Sequence, residues 1–121
     1  MARILIIEDD VFIAGLITQR LKDHFEIDLA IAADDAFKKI EENKPDLILL
    51  DLILPGIDGF EILKKLKDDD ATKAIPVIIL SNLGNRDEVE KGIAMGARSY
   101  LIKSNIMPED VIKAIEEALK R

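Results

Sequence analysis

Carboxylate, hydroxyl and ammonium groups stand directly after short apolar runs in this 121-residue chain. In chain order these groups belong to Glu8, Asp9, Asp51, Ser81 and Lys103. Clustered carboxylates repel one another and need a cation, and a hard divalent ion such as Mg²⁺ best suits oxygen ligands. Mg²⁺ favours sites completed by a phosphoryl group, whose oxygens a lysine ammonium or a hydroxyl can contact. If the five groups meet, they predict phosphoryl transfer to an aspartate, because an Asp beside Mg²⁺ stays ionised and nucleophilic.

The longest apolar run contains Asp51. It reads Leu47-Ile48-Leu49-Leu50-Asp51-Leu52-Ile53-Leu54 and lies between Lys44-Pro45 and Pro55-Gly56. A continuous apolar run between turn signals predicts a strand buried on both faces, with Asp51 at its carboxyl end. Open α/β sheets bind ligands in the crevice outside that edge. Considered alone, Asp51 is as well explained as a cap or a turn residue, so its partners decide.

The other apolar patterns predict strands and helices in alternation. Strands are expected over 3–7, 27–32, the run with Asp51, 77–80 and 97–102, and helices over 11–24, 35–43, 60–67, 86–95 and from residue 108 onward. Such alternation predicts a doubly wound, flavodoxin-like (βα)5 fold, a five-stranded parallel sheet with helices on both faces. Residues 1–121 are expected to form a single domain. Because parallel strands end on one edge of a sheet, the five groups are expected to converge there.

Helix starts and inward faces can also be predicted. Asp10 is expected to cap the first helix and Asp34 the second. Spacing predicts four inward residues on the first helix: Ile13, Leu16, Ile17 and Leu21. The fourth helix is expected to be the weakest, with Val89 and Ile93 facing inward. Gly92 stands in its middle, where glycine costs about 1 kcal/mol relative to alanine.

Composition excludes several other kinds of site. The chain has no Cys and one His, so a cysteine nucleophile is impossible and a multi-histidine metal site nearly so. A net charge of −7 argues against binding nucleic acid through a basic patch. No apolar run approaches the ~20 residues that span a bilayer, and no signal-peptide pattern is present. We therefore expect a cytoplasmic domain that binds neither nucleic acid directly nor a membrane.

Several motifs carry a resemblance to a known family. They are Ile6-Ile7-Glu8-Asp9, Leu49-Leu50-Asp51, Leu54-Pro55-Gly56-Ile57-Asp58-Gly59, Ile79-Leu80-Ser81, Gly96-Ala97 and Tyr100-Leu101-Ile102-Lys103. With them the chain resembles the receiver domains of two-component response regulators, over essentially its whole length. The resemblance implies that Asp51 takes a phosphoryl group from a phosphohistidine, on a sensor histidine kinase or a histidine phosphotransfer protein.

The resemblance also implies a metal site and a switch. Mg²⁺ would be bound by Asp9, Asp51, the backbone carbonyl of Ile53 and, through water, Glu8. The phosphoryl group would be contacted by Ser81 and Lys103, and Tyr100 would change rotamer as Ser81 is drawn inward.

A receiver of this kind switches the surface around the fourth helix, fifth strand and fifth helix. It is a phosphorylated signalling domain rather than an enzyme, with at most slow autophosphatase activity. The identity of its downstream effector or output domain is left open, and so is whether the phosphorylated domain forms a homodimer.

Three positions depart from the usual receiver pattern. Lys103 is followed by Ser104 where many relatives have proline, so we expect a trans bond between them. Asn82 stands where a small alanine is usual and is expected to narrow access to the site. Ile53 is apolar where a polar residue is common. Since neither Ile53 nor Leu83 can orient a water, slow dephosphorylation is expected.

Other functions share part of this pattern. A flavodoxin-like flavin carrier needs a Ser/Thr/Gly-rich phosphate loop after the first strand, where this chain has acidic residues. An aspartate-nucleophile phosphatase needs an acidic residue two positions after Asp51, where Ile53 stands. A stronger rival is an unphosphorylated receiver that acts as a protein-binding adaptor. The intact acidic pair, together with Ser81 and Lys103, argues against it.

Overall fold

The structure is a computed structural model that describes residues 1–120. Five strands form the main sheet, β1 (Arg3–Ile7), β2 (Glu26–Ala30), β3 (Leu47–Leu50), β4 (Val77–Ser81) and β5 (Ser99–Ile102). Five helices alternate with them, α1 (Val11–Leu21), α2 (Ala33–Glu42), α3 (Gly59–Asp68), α4 (Arg86–Ala94) and α5 (Pro108–Leu119). A two-stranded hairpin, Ile53–Leu54 with Ile57–Asp58, follows β3, and a 3₁₀ turn, Lys103–Asn105, follows β5.

The strands form one parallel sheet in the order β2-β1-β3-β4-β5. This confirms the predicted doubly wound fold. Strand β3 lies at the centre, and all four of its residues are buried. The chain must turn sharply after β3, and Gly56 makes this possible because it adopts a positive φ of 79° in the hairpin turn.

Two hydrophobic cores cover the two faces of the sheet. Along β1, Leu5 and Ile7 pack with α2 and α3, whereas Ile4 and Ile6 pack with α1 and α5. All four side chains are almost inaccessible, which explains the unbroken apolar run of a strand buried on both sides. Burying one such side chain contributes about 1.5–3 kcal/mol to stability, so the sheet is held firmly beneath the polar edge.

The prediction for α1 is partly wrong. The helix ends at Leu21, and Leu16 is 52% exposed although its spacing predicted burial. The fully buried residues of α1 are Ala14 and Leu21, so a small side chain takes a buried position that the spacing of the large apolar residues does not reveal. The predicted cap is confirmed, since the Asp10 side chain accepts from the backbone N–H groups of the first turn.

The predicted cap of α2 is also wrong. The helix begins at Ala33, with Ala32 at its N-cap position and no side-chain cap. Asp34 and Asp35 both lie inside the first turn instead, where the positive end of the helix dipole stabilises their negative charges.

In α4 the predicted inward face is wrong as well. Ile93 is 46% exposed, Val89 is half-buried, and the buried residue of the helix is Gly92. The helix lies so close to the sheet at Gly92 that a side chain there would meet β4 and β5. Hydrophobic periodicity could not identify this face, because its central residue has no side chain.

Strand β2 forms one edge of the sheet. Its Leu29 is half-buried, and the N–H of Leu29 donates to Asp28 Oδ1 at 3.0 Å. The ammonium of Lys39, from α2, donates to the carbonyl of Leu29 and lies 3.6 Å from Asp28 Oδ1. Both backbone groups of Leu29 are therefore bonded within the chain.

Candidate functional site

The backbone at the carboxyl edge is fixed by bonds to neighbouring strands. Glu8 N–H donates to the Ala30 carbonyl at 2.9 Å, and Asp51 N–H donates to the Ile7 carbonyl at 3.0 Å. Glu8 is 2% exposed and Asp51 7% exposed, so two carboxylates lie nearly buried side by side. Buried carboxylates are costly unless they are paired, which makes their partner decisive.

That partner is the ammonium of Lys103. Its side chain is 12% exposed, and its Nζ donates to Asp51 Oδ2 at 3.1 Å and to Glu8 Oε1. These two contacts join Lys103 to Asp51, 52 positions earlier in the chain, and to Glu8, 95 positions earlier. The structure therefore brings together the acidic and basic groups that the strand-end pattern predicted.

Burial changes the protonation of Glu8. It raises the pKa of that carboxyl from 4.5 to about 7, with Asp51 adding to the rise and Lys103 opposing it. For Lys103, burial alone would lower the pKa of the ammonium. The hydrogen bond to Glu8 and the charge of Asp51 outweigh this effect and raise it. Lys103 therefore remains an ammonium when Glu8 titrates.

Three carboxylates could hold a metal ion. Oxygens of Glu8, Asp9 and Asp51 lie within 4.8 Å of one another, with Asp9 exposed to solvent. The third acidic residue in sequence, Asp10, does not belong to this group, because its side chain caps α1 and its N–H donates to Glu8 Oε2 at 3.2 Å. The donor set is thus all oxygen and open on one side, as Mg²⁺ prefers.

Ile53 lies at the mouth of the site. Its N–H donates to Asp51 Oδ1 at 3.2 Å, and its side chain is 57% exposed. Leu83, the other apolar residue expected to exclude water, is partly buried and packs against the core on the face of the sheet covered by α2 and α3. Of these two residues, Ile53 is the more exposed to solvent.

Gly59 is a residue of the site that appeared in the sequence only as the last residue of a motif, with no role assigned to it. A Cβ on Gly59 would lie 2.4 Å from Leu52 Cα and 2.8 Å from the Asp51 carbonyl oxygen. Its N–H also donates to the Leu52 carbonyl at 2.9 Å. The start of α3 therefore rests directly on the backbone that carries Asp51. The Asp58-Gly59 pair was the available signal, because Asp58 caps α3 and glycine permits the close approach.

A second chain of contacts leads away from the edge. The buried hydroxyl of Ser81 accepts from Leu83 N–H at 3.2 Å, and the Tyr100 hydroxyl donates to the Leu83 carbonyl. Burial raises the pKa of the Tyr100 phenol, the charge of Glu88 adds to the rise, and a hydrogen bond with Ser81 opposes it. Leu83 is thus bonded on one side to Ser81 and on the other to Tyr100.

Lys103 begins a short 3₁₀ turn rather than continuing the strand. Every peptide bond between the described residues is trans, including Lys103–Ser104, as the missing proline predicted. Ser104 and Asn82 are both exposed beside the site.

Comparison with known proteins identifies the class. A family model described as the response regulator receiver domain matches residues 4–116. The chain belongs to this family, the phosphoacceptor domains of two-component signalling, as its motifs implied.

Individual relatives agree with this assignment. The chain is 31% identical over 122 residues to the phosphate regulon transcriptional regulatory protein PhoB of Rhizobium meliloti, an alignment covering 100% of this chain and 53% of PhoB. It is 36% identical over 103 residues to the response regulator PleD of Caulobacter vibrioides, covering 84% of this chain and 23% of PleD. The chain therefore spans about half or less of these relatives.

Solved structures share the fold. The receiver domain of Francisella response regulator 1452 has a TM-score of 0.92 at 28% identity, covering 100% of this chain and 98% of that one. A CheY-like response regulator receiver domain protein from Methanospirillum hungatei has a TM-score of 0.89 at 28% identity, covering 98% of this chain and 94% of that one.

Hydropathy adds one observation. Within residues 1–120, none of the helices combines the length and apolar character that crossing a lipid bilayer requires.

Proposed function

We propose that Asp51 is the phosphoacceptor of this receiver. Its donor would be a phosphohistidine on a sensor histidine kinase or a histidine phosphotransfer protein. One observation carries the assignment: Asp51 is 7% exposed at the end of the central strand, and the Lys103 ammonium lies 3.1 Å from its Oδ2. An ammonium held beside one oxygen of the Asp51 carboxylate is well placed to contact the phosphoryl oxygens that arrive there.

The proposed reaction is a phosphoryl transfer between side chains. A carboxylate oxygen of Asp51 attacks phosphorus, so a P–O bond forms while the P–N bond to the donor imidazole breaks. The electron pair of that bond stays on the imidazole nitrogen, which takes a proton from solvent. The product is an acyl phosphate on Asp51 and a neutral histidine on the donor.

Two residues would respond to the added group. Lys103 would give up its hydrogen bond to Asp51, donate to the phosphoryl oxygens instead and offset their negative charge. Ser81 would turn its hydroxyl from Leu83 N–H, now at 3.2 Å, to donate to another phosphoryl oxygen. Tyr100 would follow, because its hydroxyl is bonded to the same Leu83.

The carboxylates fit Mg²⁺ by their chemistry. Three oxygen donors lie within 4.8 Å of one another, and the exposed Asp9 leaves room for the waters that Mg²⁺ retains. We propose that Asp9 and Asp51 bind the ion directly, with Glu8 acting through water and Ile53 through its carbonyl. The bound ion would neutralise negative charge between the carboxylates and the incoming phosphoryl group.

The remaining assignments complete the proposal. Residues 1–121 would form one receiver domain in the cytoplasm, binding neither nucleic acid nor a membrane directly. The domain would act as a signal rather than an enzyme, with slow loss of its own phosphoryl group. Its output surface would be formed by α4, β5 and α5, which would contact an effector protein or output domain, or a second phosphorylated copy.

Intact-mass spectrometry tests the phosphoacceptor. After incubation with acetyl phosphate and Mg²⁺, wild type should gain one phosphoryl group and Asp51→Asn none. Asp10→Asn is the matched control, since asparagine also caps helices well and Asp10 lies outside the carboxylate group. Labelling of Asp51→Asn to the wild-type level would show that another residue is the acceptor.

A further inference from the structure

Gly92 occupies a place in α4 where an added side chain would crowd two neighbouring residues. An ideal Cβ there would lie 2.7 Å from Ile79 Cδ1, closer than real Cβ contacts come. It would also lie 3.1 Å and 3.3 Å from Tyr100 Cδ2 and Cε2. Ile79 and Tyr100 are direct neighbours across β4 and β5, so the bare backbone of Gly92 covers both. The missing side chain therefore forms a slot that the tyrosine ring occupies.

The ring in this slot is connected to the phosphorylation site. Tyr100 OH donates to the Leu83 carbonyl, and Leu83 N–H donates to the Ser81 hydroxyl at 3.2 Å. Ser81 is fully buried at the end of β4, one strand away from Asp51. Any displacement of the ring from Gly92 would also alter the position from which its hydroxyl reaches Leu83.

We propose that Gly92 is a positioning residue for the Tyr100 ring. By having no side chain, it lets α4 lie directly on the ring, and the ring and helix must then move together when Ser81 changes partner. The inference rests on the proposed function for its link to Asp51. A methyl group at this position would push the ring away from α4 and separate the two movements.

The chain provides a matched control for this substitution. Gly15 is also a glycine inside a helix, but a Cβ built there has no neighbour within 4 Å. Gly15→Ala and Gly92→Ala both gain helix propensity, and only Gly92→Ala introduces the steric conflict. Ile79→Val provides a second background, because it deletes the Cδ1 atom that a Cβ at Gly92 would approach most closely.

The single tyrosine of the chain makes the ring directly observable. With one Tyr and no Trp, near-ultraviolet circular dichroism in the tyrosine band reports on Tyr100 alone. Gly92→Ala should lose most of this signal, in both the wild-type and the Ile79→Val background, while Gly15→Ala should keep it. A Gly92→Ala protein with an unchanged tyrosine signal would overturn the proposal, since the methyl would then be accommodated without moving the ring. Recovery of the signal by Ile79→Val would also overturn it, since Ile79 would be the residue that Gly92 accommodates.

Phosphorylation tests the coupling. With acetyl phosphate and Mg²⁺, wild type and Gly15→Ala should change their tyrosine signal as Asp51 is labelled. Gly92→Ala should take up one phosphoryl group by mass with little change in that signal. A wild-type response in labelled Gly92→Ala would refute the coupling. If wild type takes up no phosphoryl group, the proposed function fails, whereas the comparison of unlabelled proteins still decides whether Gly92 positions the ring.

Discussion

Binding of Mg²⁺ should release protons from Glu8. Burial raises the pKa of this carboxyl to about 7, so at pH 7 half of the metal-free molecules carry a proton there. A divalent cation beside the carboxylates favours the ionised form, and metal binding therefore expels that proton. Lys103 is not the source, because its pKa is raised and it stays charged throughout this range.

The size of the effect follows from this pKa. Binding should release about 0.9 proton per Mg²⁺ at pH 6, about 0.5 at pH 7 and about 0.1 at pH 8. The apparent Mg²⁺ affinity should accordingly rise about tenfold from pH 6 to pH 8, which is about 1.4 kcal/mol.

Titration calorimetry can count the protons, because the observed heat depends on the ionisation enthalpy of the buffer. Wild type at pH 6.0, about one unit below the pKa of Glu8, should give different heats in two buffers. Glu8→Gln should give equal heats, and Asp10→Asn should behave as wild type. Equal heats for wild type in both buffers would refute the inference that Glu8 is protonated before the metal binds.

Three further predictions concern stability and turnover. For metal-free protein, the folded pKa of Glu8 exceeds its unfolded value of 4.5, so its contribution is present below pH 4.5 and lost as pH rises to about 7. Urea unfolding across this range should show a loss of up to about 3 kcal/mol, which Glu8→Gln should abolish. Gly59→Ala should destabilise the protein by about 1–3 kcal/mol through its clash with the Leu52 backbone, whereas Gly15→Ala should not destabilise it. Unfolding midpoints that are the same for Gly59→Ala and Gly15→Ala would show that the clash is relieved without cost. Ile53→Asn should speed loss of the phosphoryl label severalfold, because a polar side chain at this 57% exposed position can orient water. Equal decay in wild type and variant would show that Ile53 does not limit water access.

The sequence predicted best where side-chain chemistry and burial point in the same direction. The limits of β1 were predicted correctly, because a strand buried on both faces leaves an unbroken apolar run. Lys103 could be assigned to the edge beside Asp51 because parallel strands must end together. The parallel topology alone therefore places Lys103 and Asp51 at the same edge of the sheet.

The errors over which helix residues face inward share a physical cause. At Leu16 and Ile93 a large apolar side chain is about half exposed, while the small Ala14 and the bare Gly92 are buried. Periodicity identifies large apolar residues and overlooks a face built for close approach by small ones. Asp34 shows a different limit, because a cap depends on the residue at which the helix begins, which the pattern of apolar residues does not fix.

The bonding of Leu29 has a consequence for self-association. The outer edge of a sheet normally offers free N–H and carbonyl groups on which another chain can build a further strand. The Ala30 carbonyl points toward β1, because it accepts a hydrogen bond from Glu8 N–H. Successive residues of a strand point their backbone groups to opposite sides, so the N–H and carbonyl of Leu29 point away from the sheet. Asp28 and Lys39 already occupy them, and an incoming strand would also have to displace a charged ammonium. At Leu29 this edge is therefore less accessible to an added strand, and Lys39→Leu should make the protein precipitate more readily during concentration.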